Sequence, residues 1–127
     1  MKIILIVGLP GSGKTHLAHK LAQENHYFIA DDWKMCDIHL LPECDIIITN
    51  PNLCKEEYFD KYVLELISRF DPEFEYIYFE NDPEICRINA ISREIKLRGH
   101  SNSIEKSISR LAPDYTPPKK TIPVYQP

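Results

Sequence analysis

Residues 2–15 read KIILIVGLPGSGKT, and this stretch decides the fold. Its first half, residues 3–7, is a continuous run of mostly β-branched apolar side chains, which is typical of a strand buried on both faces of a parallel sheet. Its second half, residues 8–15, matches the pattern G-x-x-x-x-G-K-S/T in full, and an apolar helical stripe begins at Lys14. A buried strand, a glycine-rich loop and a helix in this order predict a loop that binds phosphate groups.

The residue types in this loop fit a nucleoside triphosphate. Glycines at three positions let the backbone turn with positive φ and bring its N–H groups against phosphate oxygens at a helix N-terminus. We expect Lys14 to reach the β- and γ-phosphates and the Thr15 hydroxyl to bind Mg²⁺, so ATP and Mg²⁺ are the predicted cofactors. The loop residues predicted to bind the nucleotide are Gly8, Pro10, Gly11, Ser12, Gly13, Lys14 and Thr15.

Strands and helices alternate along the rest of the chain. Short apolar runs predict further strands at 27–30, 46–49, 76–79 and 121–125. Apolar periodicity with start and stop signals predicts helices at 14–24, 56–70, 83–95 and 103–111. This alternation indicates an α/β fold with a mostly parallel sheet and right-handed crossovers. We predict a single domain over residues 1–127, with a five-stranded sheet of order 2-3-1-4-5 and helices on both faces.

Composition excludes several classes of protein. The chain has 127 residues, 43% hydrophobic and 27% charged, which is ordinary for one globular domain. Its four cysteines include no C-x-x-C pair, so we expect reduced thiols in the cytoplasm. The apolar start is too short for a signal peptide, and no run approaches the ~18 residues of a membrane span, so we expect no membrane association.

Charge is distributed unevenly. Residues 1–86 carry 7 basic and 16 acidic side chains, whereas residues 87–127 carry 8 basic and 3 acidic ones. The basic third of the chain fits either a surface that contacts phosphates or an ordinary solvated face. We expect residues 93–102 to form a lid whose arginine stabilises the transferred phosphoryl group. Lys96 and Arg98 are candidates for contacts with a nucleic-acid backbone.

Two adjacent carboxylates, Asp31 and Asp32, follow the second predicted strand. They lie at the carboxyl edge of the sheet, where ligands of open α/β folds bind. One carboxylate there is suited to accept the proton of an attacking hydroxyl, and Asp32 is a candidate metal ligand; a helix-capping pair is the alternative interpretation. The third strand ends in residues 49–52, TNPN, without an acidic pair, which together with chain length disfavours motor or AAA-type ATPases. The absence of guanine-reading and switch motifs after this strand disfavours GTPases.

Four stretches of the chain resemble the polynucleotide-kinase-like P-loop kinases, the family of phage 5′-hydroxyl polynucleotide kinases and of phage kinases acting on 5-hydroxymethyluracil in DNA. These stretches are IILIVGLPGSGKT, FIADDWK, IIITNPNL and YFENDPEICRINAISRE. The resemblance implies that Asp31 is the general base, that Lys14 and Thr15 are the phosphate and metal ligands, and that Arg93 is the lid arginine that contacts ATP. In this chain Asn50 stands where an aspartate is common in the family.

The acceptor side of the predicted fold is open. Only 14 residues, 31–44, connect strands two and three, which is too few for a helical lid over the acceptor site. An uncovered acceptor site favours a large acceptor. The predicted function is transfer of the ATP γ-phosphate to a hydroxyl on nucleic acid, with the 5-hydroxymethyl group of 5-hydroxymethyluracil in DNA ranked first. A 5′-hydroxyl polynucleotide kinase, a nucleoside or small-metabolite kinase and an ATP-binding regulator are the alternatives.

DNA is the expected partner. A separate DNA-modification enzyme or a helical partner is a further candidate. Trp33 is predicted to stack on an unpaired base, with burial in the core as the alternative. Lys34, Lys96 and Arg98 are predicted to contact nucleic-acid phosphates.

Overall fold

A four-stranded parallel sheet with the strand order β2-β3-β1-β4 forms the centre of the molecule. The computed structural model describes residues 1–98 and 102–126, with residues 93–98, 102 and 103 described by their backbone alone. The strands are β1 (Lys2–Val7), β2 (Phe28–Ala30), β3 (Ile46–Thr49) and β4 (Glu73–Tyr78). The helices are α1 (Lys14–Glu24), α2 (Glu56–Phe70), α3 (Pro83–Arg98) and α4 (Asn102–Leu111). Short 3₁₀ segments cover Met35–Leu40, Pro51–Cys54 and Ala112–Asp114.

Strand β1 is central because both of its faces are apolar. Its side chains alternate between faces, so Ile3 and Leu5 belong to one core cluster while Ile4 and Ile6 belong to another. Helix α1 covers the second cluster through Ala18, and α2, α3 and α4 contribute to the first. The predicted α/β fold with a parallel sheet and helices on both faces is therefore confirmed.

The prediction of a fifth strand at 121–125 was wrong. Ile122 makes an isolated parallel bridge beside β4: its N–H donates to the Tyr78 carbonyl at 2.9 Å, and its carbonyl accepts from Glu80 N–H at 2.9 Å. The next residue that could extend the ladder is Val124, whose N–H donates to Glu80 Oε1 at 3.3 Å and not to a backbone carbonyl, so the pairing ends after one bridge. The chain instead turns towards the glycine-rich loop.

Several element ends follow from capping chemistry. Asp82 Oδ1 accepts from Ile85 N–H at 3.2 Å, so Asp82 is the N-cap of α3. Helix α2 has the predicted bounds and ends at Asp71, whose φ is 49°. Strand β4 begins three residues earlier than predicted, at Glu73, and α3 extends to Arg98. Residues 99–101 of the predicted lid lie outside the described part of the chain.

In the described part of the chain, no helix has both the length and the apolar character needed to cross a membrane. All four cysteines are free thiols: Cys36 and Cys44 are exposed, whereas Cys54 and Cys86 are buried.

Candidate functional site

The loop between β1 and α1 is closely packed around its glycines. Gly11 and Gly13 have φ of 85° and 105°, a backbone region that side chains with a Cβ rarely adopt. A Cβ on Gly11 would overlap the backbone carbonyl of Cys86, and one on Gly13 would lie 2.6 Å from Tyr125 Cβ. Glycine is therefore required at both positions by the backbone conformation and by the neighbours on α3 and in the C-terminal segment.

Lys14 lies beneath this loop. Its side chain is only 7% exposed, and its Nζ donates to the Leu9 carbonyl at 2.9 Å. Burial lowers the pKa of Lys14, while the nearby thiols and the Asp32 and Asp31 carboxylates oppose that shift. An ammonium has three N–H donors, so after the bond to Leu9 the Lys14 ammonium can still donate to phosphate oxygens. The Ser12 hydroxyl is also buried and has no hydrogen-bond partner among the described residues.

Three strand and helix ends converge on the two carboxylates. The Thr15 hydroxyl, at the start of α1, donates to Asp31 Oδ1 and Oδ2 at 2.9 and 3.0 Å. The Thr49 hydroxyl, at the end of β3, donates to Asp31 Oδ1 at 2.5 Å and accepts from Asp32 N–H at 3.0 Å. Asp32 itself has φ of 52°. Asp31 is thus bound to both threonines through its carboxylate, whereas Asp32 contacts Thr49 through its backbone N–H.

Two cavities meet at Asp32. The first, called the loop cavity, has a volume of about 450 Å³ and is lined by the glycine-rich loop with His16, Asp32, Asn89, Ser107 and Tyr125. The second, called the side cavity, also has about 450 Å³ and is lined by Asp32, Lys34, Asn52, Tyr62, Ser107 and Arg110. Asp32 therefore borders both the loop cavity and the side cavity.

The loop cavity fits a triphosphate with Mg²⁺. The glycine-lined loop and the Lys14 ammonium suit phosphate oxygens, and the Thr15 hydroxyl and Asp31 carboxylate are hard oxygen donors of the kind Mg²⁺ prefers. The described residues include no cluster of three or more His, Cys, Asp or Glu side chains able to hold a metal. Phosphate oxygens and water would therefore supply the other ligands.

Asn50, at the end of the third strand, has a structural function. Its Nδ2 donates to the Trp33 carbonyl at 2.6 Å and to the Tyr62 hydroxyl at 3.3 Å, and its Oδ1 accepts from Asn52 N–H at 2.8 Å. These contacts hold the segment after β2 against the segment after β3. The carboxylate next to Thr15 is supplied instead by Asp31, from the end of the neighbouring strand.

The prediction that Trp33 stacks on a nucleic-acid base was wrong. Trp33 is 7% exposed, belongs to the core cluster and packs edge-on against Tyr62 with ring centroids 5.5 Å apart. Its backbone N–H donates to the Thr49 carbonyl at 3.0 Å, which ties this position to the end of β3. A ring in this position has no open face for a base.

The predicted basic residues fall into two groups. Lys34 is exposed at the side cavity. Arg93, Lys96 and Arg98 lie on α3, and their side chains are outside the described part. The structure adds Arg110, which borders the side cavity and donates to Asn52 Oδ1 at 3.3 Å.

Three other site residues were missed by sequence reasoning: Thr49, Asn89 and Tyr125. Asn89 Nδ2 donates to the carbonyls of Gly11 at 3.0 Å and Tyr125 at 2.6 Å. For Thr49, its position at the carboxyl end of a buried strand was a usable signal. The other two are brought to the loop by contacts distant in sequence, which no local pattern reveals.

Comparison with known proteins agrees with this architecture. No family model matches the chain. The uncharacterized protein R277 of Acanthamoeba polyphaga mimivirus is 31% identical over an alignment of 107 residues, and the match covers 77% of this chain and 77% of that protein. This chain therefore belongs to the same family as that mimivirus protein.

Two solved structures have a similar fold at low sequence identity. A gluconokinase from Sinorhizobium meliloti 1021 is similar over 99% of this chain and 84% of its own, with a TM-score of 0.62 and 13% identity. Kti12 from Chaetomium thermophilum, solved in complex with ADP-AlF3, is similar over 92% of this chain and 81% of its own, with a TM-score of 0.60 and 15% identity. The chain has the fold of P-loop kinases.

Proposed function

We propose that this protein is an ATP-dependent kinase that transfers the γ-phosphate to a hydroxyl group on nucleic acid. The observation that carries the proposal is the position of Asp32, which borders both the loop cavity and the side cavity. Phosphoryl transfer needs a phosphate donor site and an acceptor site that share a reactive boundary with a proton acceptor on it. The fold of P-loop kinases supports the same reaction class.

The two carboxylates differ in their surroundings, and we assign them different roles. Both Asp31 oxygens accept from the Thr15 hydroxyl, which leaves the hydroxyl lone pairs for a cation. Asp31 and Thr15 would hold Mg²⁺, whose chemical contribution when bound is to neutralise charge on the phosphates. The Asp32 carboxylate accepts no hydrogen bond from any described residue, so it is better suited to accept the proton of the attacking hydroxyl.

These assignments reverse the roles expected from the sequence, in which Asp31 is the base and Asp32 the metal ligand. Lys14 keeps its expected role: a buried ammonium beneath the loop stabilises negative charge on the phosphates more strongly than an exposed one would. The arginine of the lid, Arg93, is proposed to assist it.

The acceptor is proposed to be anionic because two cations border the side cavity. Lys34 and Arg110 are exposed there, and neither forms an ion pair with a carboxylate within the described residues. Uncompensated cations beside a cavity favour a ligand with phosphate groups, since a neutral nucleoside would leave both unused. DNA satisfies this condition, and 5-hydroxymethyluracil in DNA is our first candidate for the base that carries the hydroxyl.

The reaction is tested with radiolabelled ATP and a panel of matched acceptors. One DNA duplex carries 5-hydroxymethyluracil and blocked 5′ ends, its control carries thymine at the same positions, and the remaining acceptors are a 5′-hydroxyl oligonucleotide and free nucleosides. We expect label in the first duplex alone, and none with Lys14→Met. Label only at 5′ ends or only on nucleosides would replace our acceptor with that one. Bound ATP without any transfer would favour an ATP-binding regulator.

The two carboxylate roles are separated by Asp31→Asn and Asp32→Asn. We expect Asp32→Asn to lower transfer about 100-fold or more with nearly unchanged Mg²⁺–ATP affinity, because general base catalysis typically contributes ~10²–10⁴ in rate. Asp31→Asn is expected to raise the Mg²⁺ concentration required for tight ATP binding, measured by calorimetry without acceptor. The reverse pattern would restore Asp31 as the base.

A further inference from the structure

The C-terminal segment, residues 121–126, is tied by its backbone to the glycine-rich loop. Tyr125 N–H donates to the Ser12 carbonyl at 3.0 Å. The Asn89 carboxamide bridges the two segments, because its Nδ2 donates both to the Tyr125 carbonyl and to the Gly11 carbonyl. These three bonds set the position of the Tyr125 side chain relative to the loop through main-chain contacts that do not involve its ring.

The ring of Tyr125 forms a stack at the edge of the loop cavity. It lies parallel to the imidazole of His16, with ring centroids 4.4 Å apart and an interplanar angle of 26°. His16 directly follows Thr15 on α1, and both rings line the loop cavity. Tyr125 is 42% exposed, so its ring stacks on His16 and still has aromatic surface open to a ligand.

An exposed aromatic ring is unnecessary for binding phosphates. The loop backbone and Lys14 already provide the donors for a triphosphate, whereas an aromatic face offers a surface to a planar, apolar group. A nucleobase is the part of a nucleotide with that property, and stacking on tyrosine tolerates any base because every base has a π-face. The fixed backbone also means that little ordering of the ring is required on binding.

We infer that Tyr125, supported by His16, is the stacking platform for the nucleobase of the bound nucleoside triphosphate. The inference rests on the proposed function in assuming that the loop binds a nucleotide. It goes further in stating how the base is recognised: by its face, so the site distinguishes nucleotides from inorganic polyphosphate and accepts adenine and guanine alike. The platform belongs to residues 121–126, so nucleotide affinity depends on how this segment is held against the loop.

The test compares three ligands as their Mg²⁺ complexes: ATP, GTP and inorganic tripolyphosphate, which lacks both sugar and base. Binding is measured by calorimetry for the wild-type protein, Tyr125→Leu, Tyr125→Phe and the control Tyr58→Leu, which replaces another exposed tyrosine on α2. We expect Tyr125→Leu to weaken ATP and GTP about tenfold each, the size of one lost stacking contact. Tripolyphosphate affinity is expected to stay within about twofold, and Tyr125→Phe and Tyr58→Leu are expected to resemble the wild type.

Three results would overturn the inference. Equal weakening of tripolyphosphate and ATP in Tyr125→Leu would make the ring a support for the loop and not a base platform. Unchanged affinity for all three ligands would exclude any role of the ring. Wild-type protein that binds tripolyphosphate as tightly as ATP would exclude base recognition while leaving the phosphate loop intact. No transfer reaction is involved, so an absence of kinase activity with normal base-dependent binding would refute the proposed function alone.

Discussion

Replacing Thr49 with valine tests whether one buried hydroxyl positions both carboxylates of the site. Thr49 is fully buried at the end of β3, and valine has nearly the same shape. The substitution therefore leaves the core filled and removes two hydrogen bonds: the one donated to Asp31 Oδ1 and the one accepted from Asp32 N–H.

The expected cost follows from these two bonds. A hydrogen bond to a charged group typically contributes about 1.5–3 kcal/mol, and a buried N–H left without a partner costs about 1–3 kcal/mol. Asp31 is exposed, so water replaces part of the first loss, and Asp32 N–H is only partly buried. We therefore expect a decrease of about 2–3 kcal/mol in the free energy of unfolding. At about 4 °C per kcal/mol for a domain of this size, the melting temperature should fall by about 10 °C.

Thermal unfolding and phosphoryl transfer are measured on the same protein preparations, below the melting temperature of the variant. We expect transfer to fall more than ATP affinity, because Lys14 and the loop do not depend on Thr49. Thr116→Val is the matched control, since Thr116 is exposed and distant from the carboxylates in sequence. A change in unfolding free energy below about 0.5 kcal/mol, the range of ordinary surface substitutions, would show that these bonds contribute little. A destabilised variant with unchanged transfer would refute the positioning role.

Three further predictions concern the loop and its surroundings. Gly11→Ala should abolish ATP binding and destabilise the fold by about 2 kcal/mol or more, because left-handed φ costs roughly 1–2 kcal/mol and the added Cβ meets the Cys86 carbonyl; calorimetry and unfolding check both effects. Burial raises the pKa of Cys54 to about 12 and of Cys86 to about 11, so a thiol reagent at neutral pH should modify only the two exposed cysteines until the protein is unfolded. Burial lowers the pKa of Lys14, and phosphates favour its charged form, so ATP affinity should fall as pH rises through that lowered pKa. Lys14→Met should remove this pH dependence. A wild-type ATP affinity that does not change with pH would contradict the reasoning.

The sequence predicted most of the framework because its signals are local. Residues 46–49 and 56–70 have the predicted bounds, since an unbroken apolar run and a regular helical stripe each depend on neighbouring residues alone. The N-cap at Asp82 was predictable for the same reason. The fifth strand failed because a short local pattern is weak evidence: the pairing beside β4 ends after one bridge, where Val124 N–H donates to the Glu80 side chain and not to a backbone carbonyl.

The residue types of the phosphate loop, and hence the kind of ligand it binds, are readable from consecutive positions, because a turn with positive φ and a helix N-terminus require particular residues in a particular order. Other features of the site depend on how separate segments pack. They include which carboxylate contacts Thr15, and which aromatic ring is open to a ligand and which is buried. Asp31 and Asp32 are adjacent and chemically identical, yet Thr49 from another strand binds the side chain of one and the backbone of the other. Trp33 and Tyr125 are both aromatic, and their different environments come from contacts made across the fold: the first packs on Tyr62 in the core, and the second is held against the loop. Such distinctions arise because burial is a property of the packed chain, and no single stretch of sequence contains it.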